Sequence, residues 1–237
     1  MTTIIARDVT VEFPVYNSSS KSLKHRLINA TTGGRLCKDA AKHVSVKALD
    51  NINFEFKEGD RIGLAGHNGA GKSTMLRLLA GVYEPTSGYY KSHGRILSLL
   101  DIYLGMDVEA NAWDNIFLRG LLLGFKPKEI RAQMDDIAEF SELGEYLDMP
   151  IRTYSSGMSM RLAFAISTCV QADILLMDEW LSVGDAAFVE KAENRMKEVV
   201  KNTSILVIAS HSRKLFEDSC NKVLHLEHGK IVRDERL

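Results

Sequence analysis

The sequence predicts an α/β fold from three observations: a phosphate-binding loop between a strand and a helix, further short apolar runs, and a central stretch with helical period. The loop, Gly66-His67-Asn68-Gly69-Ala70-Gly71-Lys72-Ser73, fits G-x-x-x-x-G-K-[ST] between the apolar "RIGLAG" and the helix-forming "KSTMLRLLAG". The runs "ADILLMDE" at 172–179 and "SILVIASH" at 204–211 are rich in Leu, Ile and Val and end in polar residues. That is the pattern of parallel strands buried on both faces. From about 112 to 167 the period is helical: Ile130, Met134 and Ile137 share a face, and Pro127 sits where a first helical turn accepts proline. A helical subdomain, about 105–168, is therefore expected as an insertion into the sheet domain.

The remaining elements follow in order. "VTVEF" at 9–13 and "NINFEF" at 51–56 alternate apolar and polar residues and predict strands. Between them, residues 17–43 carry Lys21, Lys24, Arg26, Arg35, Lys38 and Lys42 against the single acid Asp39. This basic insertion is either a solvated surface loop or a contact for lipid head groups or another anion. The tail "KVLHLEHGKIVRD" reads as two strands around "HG". No internal repeat or low-complexity tract interrupts the chain.

Composition narrows the function classes. With 237 residues, 45% of them hydrophobic, the chain can bury a sizeable core. A formal net charge of -1 gives no broad attraction to phosphate backbones, so no nucleic-acid partner is expected. Cys37, Cys169 and Cys220 are far apart, odd in number and without metal spacing, which predicts reduced thiols. No apolar run approaches the roughly 20 residues that a bilayer crossing needs.

Three groups of residues carry chemistry. In the loop, glycines let backbone N–H groups from Gly66 to Gly71 converge on phosphate oxygens, and the helix N-terminus adds positive charge. His67, Asn68, Ala70 and Thr74 complete this cradle for a nucleoside triphosphate, Lys72 is expected at the β- and γ-phosphates, and the Ser73 hydroxyl at Mg2+. Asp178 and Glu179 close an apolar strand; they are either a Mg2+-shell ligand and a polariser of the attacking water, or solvent-facing caps. His211 closes the next strand and is either a contact to the γ-phosphate or water, or a packing residue.

The order of these motifs, with "YSSGM" at 154–158 and "SVGD" at 182–185, resembles the nucleotide-binding domain of ABC transporters over nearly the whole chain. The resemblance implies a P-loop NTPase core with a mixed sheet, an antiparallel β subdomain and an inserted helical subdomain bearing the signature loop. It also implies a head-to-tail dimer with a second copy. Ser155 would offer its hydroxyl, and Ser156 and Gly157 their N–H groups, to the partner's ATP. "LSVGD" at 181–185 would cross the interface. Closure on ATP and reopening on hydrolysis would drive a pair of membrane permease subunits.

The segments "FPVYNSSSKSLK", "TYSSGMSMRLAFA" and "MDEWLSVGDAAF" more narrowly resemble ATPase subunits of bacterial polysaccharide exporters. These move lipid-linked O-antigen or related glycans and sit on the cytoplasmic face of the inner membrane; teichoic-acid exporters are relatives. Another exported substrate and a soluble mechanochemical ATPase are the alternatives. The chain departs from the wider family where Met158 replaces a glutamine, and where the glutamine expected before the helical insert is missing; Asp101 is the nearest polar stand-in, toward Mg2+ or its water. Tyr16 and Phe13 are the candidates to stack on adenine, Tyr16 being preferred because Pro14 interrupts the strand before it. Some relatives append a carbohydrate-binding domain; here residues 1–237 are expected to form one ATP-binding domain without it.

Overall fold

Alternating side chains near the start of the sequence pair into an antiparallel sheet. The computed structural model describes residues 1–15, 36–38, 44–169, 171–179 and 186–237. Tyr16, most of the basic insertion and the 181–185 loop lie outside them. Strand β1 (Thr3–Val15) runs against β3 (Val44–Lys57), and β2 (Leu36–Lys38) pairs with the other side of β3. With β5 (Ser87–His93) on the far side of β1, the order is β2-β3-β1-β5. Ile4 and Ala6 face Phe56 and Phe54 across the ladder, and all four are buried.

The second sheet holds the apolar runs. It contains β4 (Arg61–Ala65), β6 (Ile96–Ser98), β7 (Ile174–Asp178), β8 (Ile205–Ala209), β9 (Lys222–Glu227) and β10 (Lys230–Arg236). Their order is β10-β9-β4-β8-β7-β6. β4 is parallel to both β8 and β9, while β10 returns antiparallel, so the sheet is mixed as expected. Every residue of β8 is buried, which explains its unbroken apolar sequence.

The chain divides into two compact units. The first comprises Met1–Ile96, Leu176–Glu179 and Ser204–Leu237. It includes helix α1 (Lys72–Leu79), which buries Met75, Leu76, Leu78 and Leu79. The second comprises Leu97–Leu175 and Trp180–Thr203. It holds α2 (Ala112–Leu122), α3 (Pro127–Ser141), α4 (Ser156–Thr168) and α5 (Ala186–Asn202). Helix α5 belongs to this second unit although it follows the strand β7 in the chain.

Inside the second unit, α3 begins at Pro127, and the Glu129 carboxylate accepts the Lys126 N–H at 2.8 Å to close the first turn. Phe140, Phe164 and Phe188 form its aromatic centre, with Phe140 and Phe188 edge-to-face at 5.5 Å. Arg119, 2% exposed, ties α2 to α4: it donates to the Ala163 carbonyl and the Ser167 hydroxyl, both at 2.9 Å. Burial pulls its pKa down to about 10. Burial also pushes the free thiols of Cys169 and Cys220 up to about 12, so both are held protonated and unreactive.

Candidate phosphate-binding site

In the first unit, β4 ends at Ala65, residues 66–71 turn, and α1 begins at Lys72. Gly71, the N-cap of α1, has φ 116, and a Cβ there would lie 2.9 Å from the Ala48 carbonyl oxygen. Only glycine allows both the left-handed backbone and this close approach. No side chain caps α1. Its first N–H groups are therefore left for an anion, reinforced by the helix dipole.

Lys72 is only 8% exposed, and its ammonium donates to the Gly66 carbonyl at 2.6 Å and the His67 carbonyl at 3.2 Å. Ser73 Oγ donates to Asp178 Oδ2 at 2.9 Å. A cleft of about 330 Å3 opens on these groups, with Asn68, Gly69, Gly71, Thr74 and His211 also on its wall. Gly66 and His67 line an adjoining hollow that also reaches His211. Ala70 is buried beneath the loop. The cleft extends to Val46 and Ala48 of β3, which sequence reasoning missed; small apolar residues on a strand carry no signal that separates a site wall from core.

The donors suit a magnesium ion. Ser73 and Asp178 supply hard oxygens, and no cluster of three or more His, Cys, Asp or Glu able to hold a metal occurs among the described residues. Mg2+ takes one or two protein oxygens and completes its shell with phosphates and water, so this sparse set fits it.

Glu179 does not line the cleft wall. It follows β7 with φ 66, and its N–H donates to the Ala209 carbonyl at 2.8 Å, which binds the end of β7 to the end of β8. A non-glycine residue in this region is uncommon, though Asp8, Asn51, Glu142 and His228 share it. His211 precedes Ser212, whose hydroxyl caps α6 (Arg213–Ser219) by accepting the Leu215 N–H.

Of the other expected site residues, Asp101 and the 155–157 group belong to the second unit, Phe13 belongs to the first, and Tyr16 lies outside the described residues. Asp101 accepts the Tyr103 N–H at 3.1 Å in a turn of the second unit. Ser155 is exposed and N-caps α4, accepting the Met158 N–H at 3.2 Å. Its hydroxyl proton is a separate donor. Ser156, also exposed, and Gly157 form the first turn of α4, where N–H groups lack helical partners. Phe13 packs edge-to-face on Tyr83 at 5.1 Å.

Comparison with known proteins adds to this geometry. The family model described as ABC transporter matches residues 49–182. The O-antigen export system ATP-binding protein RfbE of Yersinia enterocolitica is 46% identical over 234 residues, covering 99% of this chain and 98% of that protein. The teichoic acids export ATP-binding protein TagH of Staphylococcus haemolyticus is 35% identical, covering 94% of this chain and 81% of that protein. Among solved structures, the dimeric ATP-binding cassette MJ0796 in a post-hydrolysis state with ADP and Pi aligns at a TM-score of 0.68. At 19% identity it covers 99% of this chain and 98% of that one, a likeness of fold.

Proposed function

The chain belongs to the ABC transporter family, and from that membership we propose that it powers the export of a lipid-linked polysaccharide, O-antigen or a related glycan, across the bacterial inner membrane. It is an ATPase subunit of a polysaccharide exporter. One contact carries the residue-level reading. The Ser73–Asp178 bond joins the phosphate loop to a strand-end carboxylate 105 residues away, at the cleft that Lys72 and His211 also border.

In this reading the loop amides and Lys72 hold the triphosphate, with Lys72 exchanging the Gly66 and His67 carbonyls for β- and γ-phosphate oxygens. Ser73 and Asp178 would hold Mg2+, which would supply positive charge to offset that of the phosphates. Glu179 orients the attacking water and accepts its proton, while His211 contacts the γ-phosphate. Tyr16 stacks on the base. It follows β1, whose end pairs Phe13 with Val46, and Val46 borders the cleft. Asp101 retains its proposed role toward Mg2+ or its water. Ser155, Ser156 and Gly157 act on the nucleotide of a second, head-to-tail copy.

A membrane permease pair is the proposed partner, at the cytoplasmic face. Among the described residues no helix is long and apolar enough to cross a membrane. The second unit nevertheless exposes apolar side chains, Leu104 at 69% and Leu122 at 68%. Leu122 lies directly over Gly105, and Asn115 ties the same loop to α2 through the Asp107 N–H and carbonyl. Leu118 and Leu122 are also exposed, about one turn apart on α2, so helix and loop both present apolar side chains. This surface suits a cytoplasmic helix of the permease.

Leu104→Asp with Leu122→Asp is expected to abolish surface glycan and co-purification with the permease. ATPase activity of the isolated chain stays within about twofold, because exposed sites tolerate substitution. Normal export by this double variant would remove the docking surface. The function itself is tested by deletion: lipid-linked glycan should accumulate inside the cell, and a Lys72→Ala chain should not relieve it.

A further inference from the structure

The turn between β9 and β10 consists of His228 and Gly229, with φ 49 and 80. Two successive positive values are what a two-residue hairpin of mirror-image twist requires. Glycine takes them freely, and histidine is among the few other residues enriched there. The shape of the turn is therefore local, but its contacts are not. The Gly229 N–H donates to the Ala70 carbonyl at 2.8 Å, and its own carbonyl accepts the Asp50 N–H at 2.9 Å. The His228 ring meets the His67 ring edge-on, with centroids 5.2 Å apart. A Cβ on Gly229 would stand 2.6 Å from the Ala48 carbonyl oxygen.

These contacts bear on the phosphate loop through one peptide unit. Among the described residues no peptide bond is cis. In a trans peptide the carbonyl and the following N–H point in opposite directions. Anchoring the Ala70 carbonyl on the hairpin therefore turns the Gly71 N–H away from it, and Gly71 borders the cleft with Lys72 and Ser73. We propose that the His228–Gly229 turn is a positioning element for ATP, presetting the Ala70–Gly71 peptide and the His67 backbone for the triphosphate. The inference rests on reading the cleft as the ATP site. A loop that is not held in advance must be ordered by the ligand, and affinity falls accordingly.

The test measures MgATP affinity, KM and kcat on the full chain, together with the melting temperature without nucleotide, for the parent, Gly229→Ala, His228→Asn and Lys72→Ala. Gly229→Ala is expected to weaken affinity and raise KM about tenfold, while kcat falls no more than about twofold, since strain at a left-handed site acts here on binding. His228→Asn keeps the left-handed preference but deletes the ring, and is expected to weaken affinity about threefold with the melting temperature retained. A general loss of folding would lower the melting temperature and kcat instead of splitting KM from kcat. If Gly229→Ala does not fold, His228→Asn decides alone. Parental affinity in the folded variants overturns the proposal. Equal MgATP affinity in the parent and Lys72→Ala would instead overturn the ATP-site reading.

Discussion

Glu179→Gln is expected to lower ATP turnover between about a hundredfold and ten-thousandfold, the contribution of a positioned general base, while ATP binding persists. The backbone fixes this residue: its N–H is donated to the Ala209 carbonyl at 2.8 Å, which holds φ at 66. Such a conformation costs about 1–3 kcal/mol and persists only where its surroundings impose it. Glutamine keeps the size of the side chain but is neutral, so the variant loses the negative charge and with it the ability to take a proton. Unconsumed ATP should then trap paired copies. Light scattering in MgATP should report twice the chain mass for Glu179→Gln and a smaller fraction for the parent. Parental turnover would strip Glu179 of its role.

The second large effect concerns sharing of the site between copies. Lys72→Ala and Ser155→Arg should each be inactive when assayed alone. Mixed in equal amounts, half of the random dimers pair one of each. Every such dimer has one site with an intact phosphate loop from one copy and an intact signature loop from the other. Turnover should thus recover to about a quarter of the parental value, as an isologous two-fold assembly dictates. Ser155 and Ser156 lead into α4, and Arg119 fixes that helix at Ala163 and Ser167, so arginine at 155 alters the loop and leaves the helix in place. A mixture no more active than its components would show that each copy completes its own site.

Much of this arrangement could be read from the chain, for physical reasons that differ by element. β7 and β8 were legible because strands buried on both faces must be apolar throughout. The phosphate loop was legible because its function demands glycine and lysine at fixed spacing. β5, "SGYYKSH", left no such mark. Most of its side chains are exposed, and it is placed by pairing with β1 and by the Tyr90 hydroxyl, which donates to the Leu79 carbonyl at 2.9 Å. The left-handed turn at Glu179 was equally hidden, because the cause is a bond to Ala209 on a different strand. Asp101 is marked only as the polar residue nearest the missing glutamine, a position that spacing in the chain does not refine. Val46 and Ala48 reach the cleft only through the register of β3 against β1, which no local pattern encodes.

The pairing of Ile62 with Lys222 and of Ala65 with His225 places β9 beside the strand that launches the phosphate loop. During synthesis on the ribosome, the loop is made well before this neighbour, because Lys222 follows Lys72 at a long separation in the chain. A nascent chain arrested before Lys222 leaves one edge of β4 bare, and contacts so distant in sequence form slowly. Until β9 pairs there, the strand that leads into the phosphate loop has an open edge onto which another strand can add.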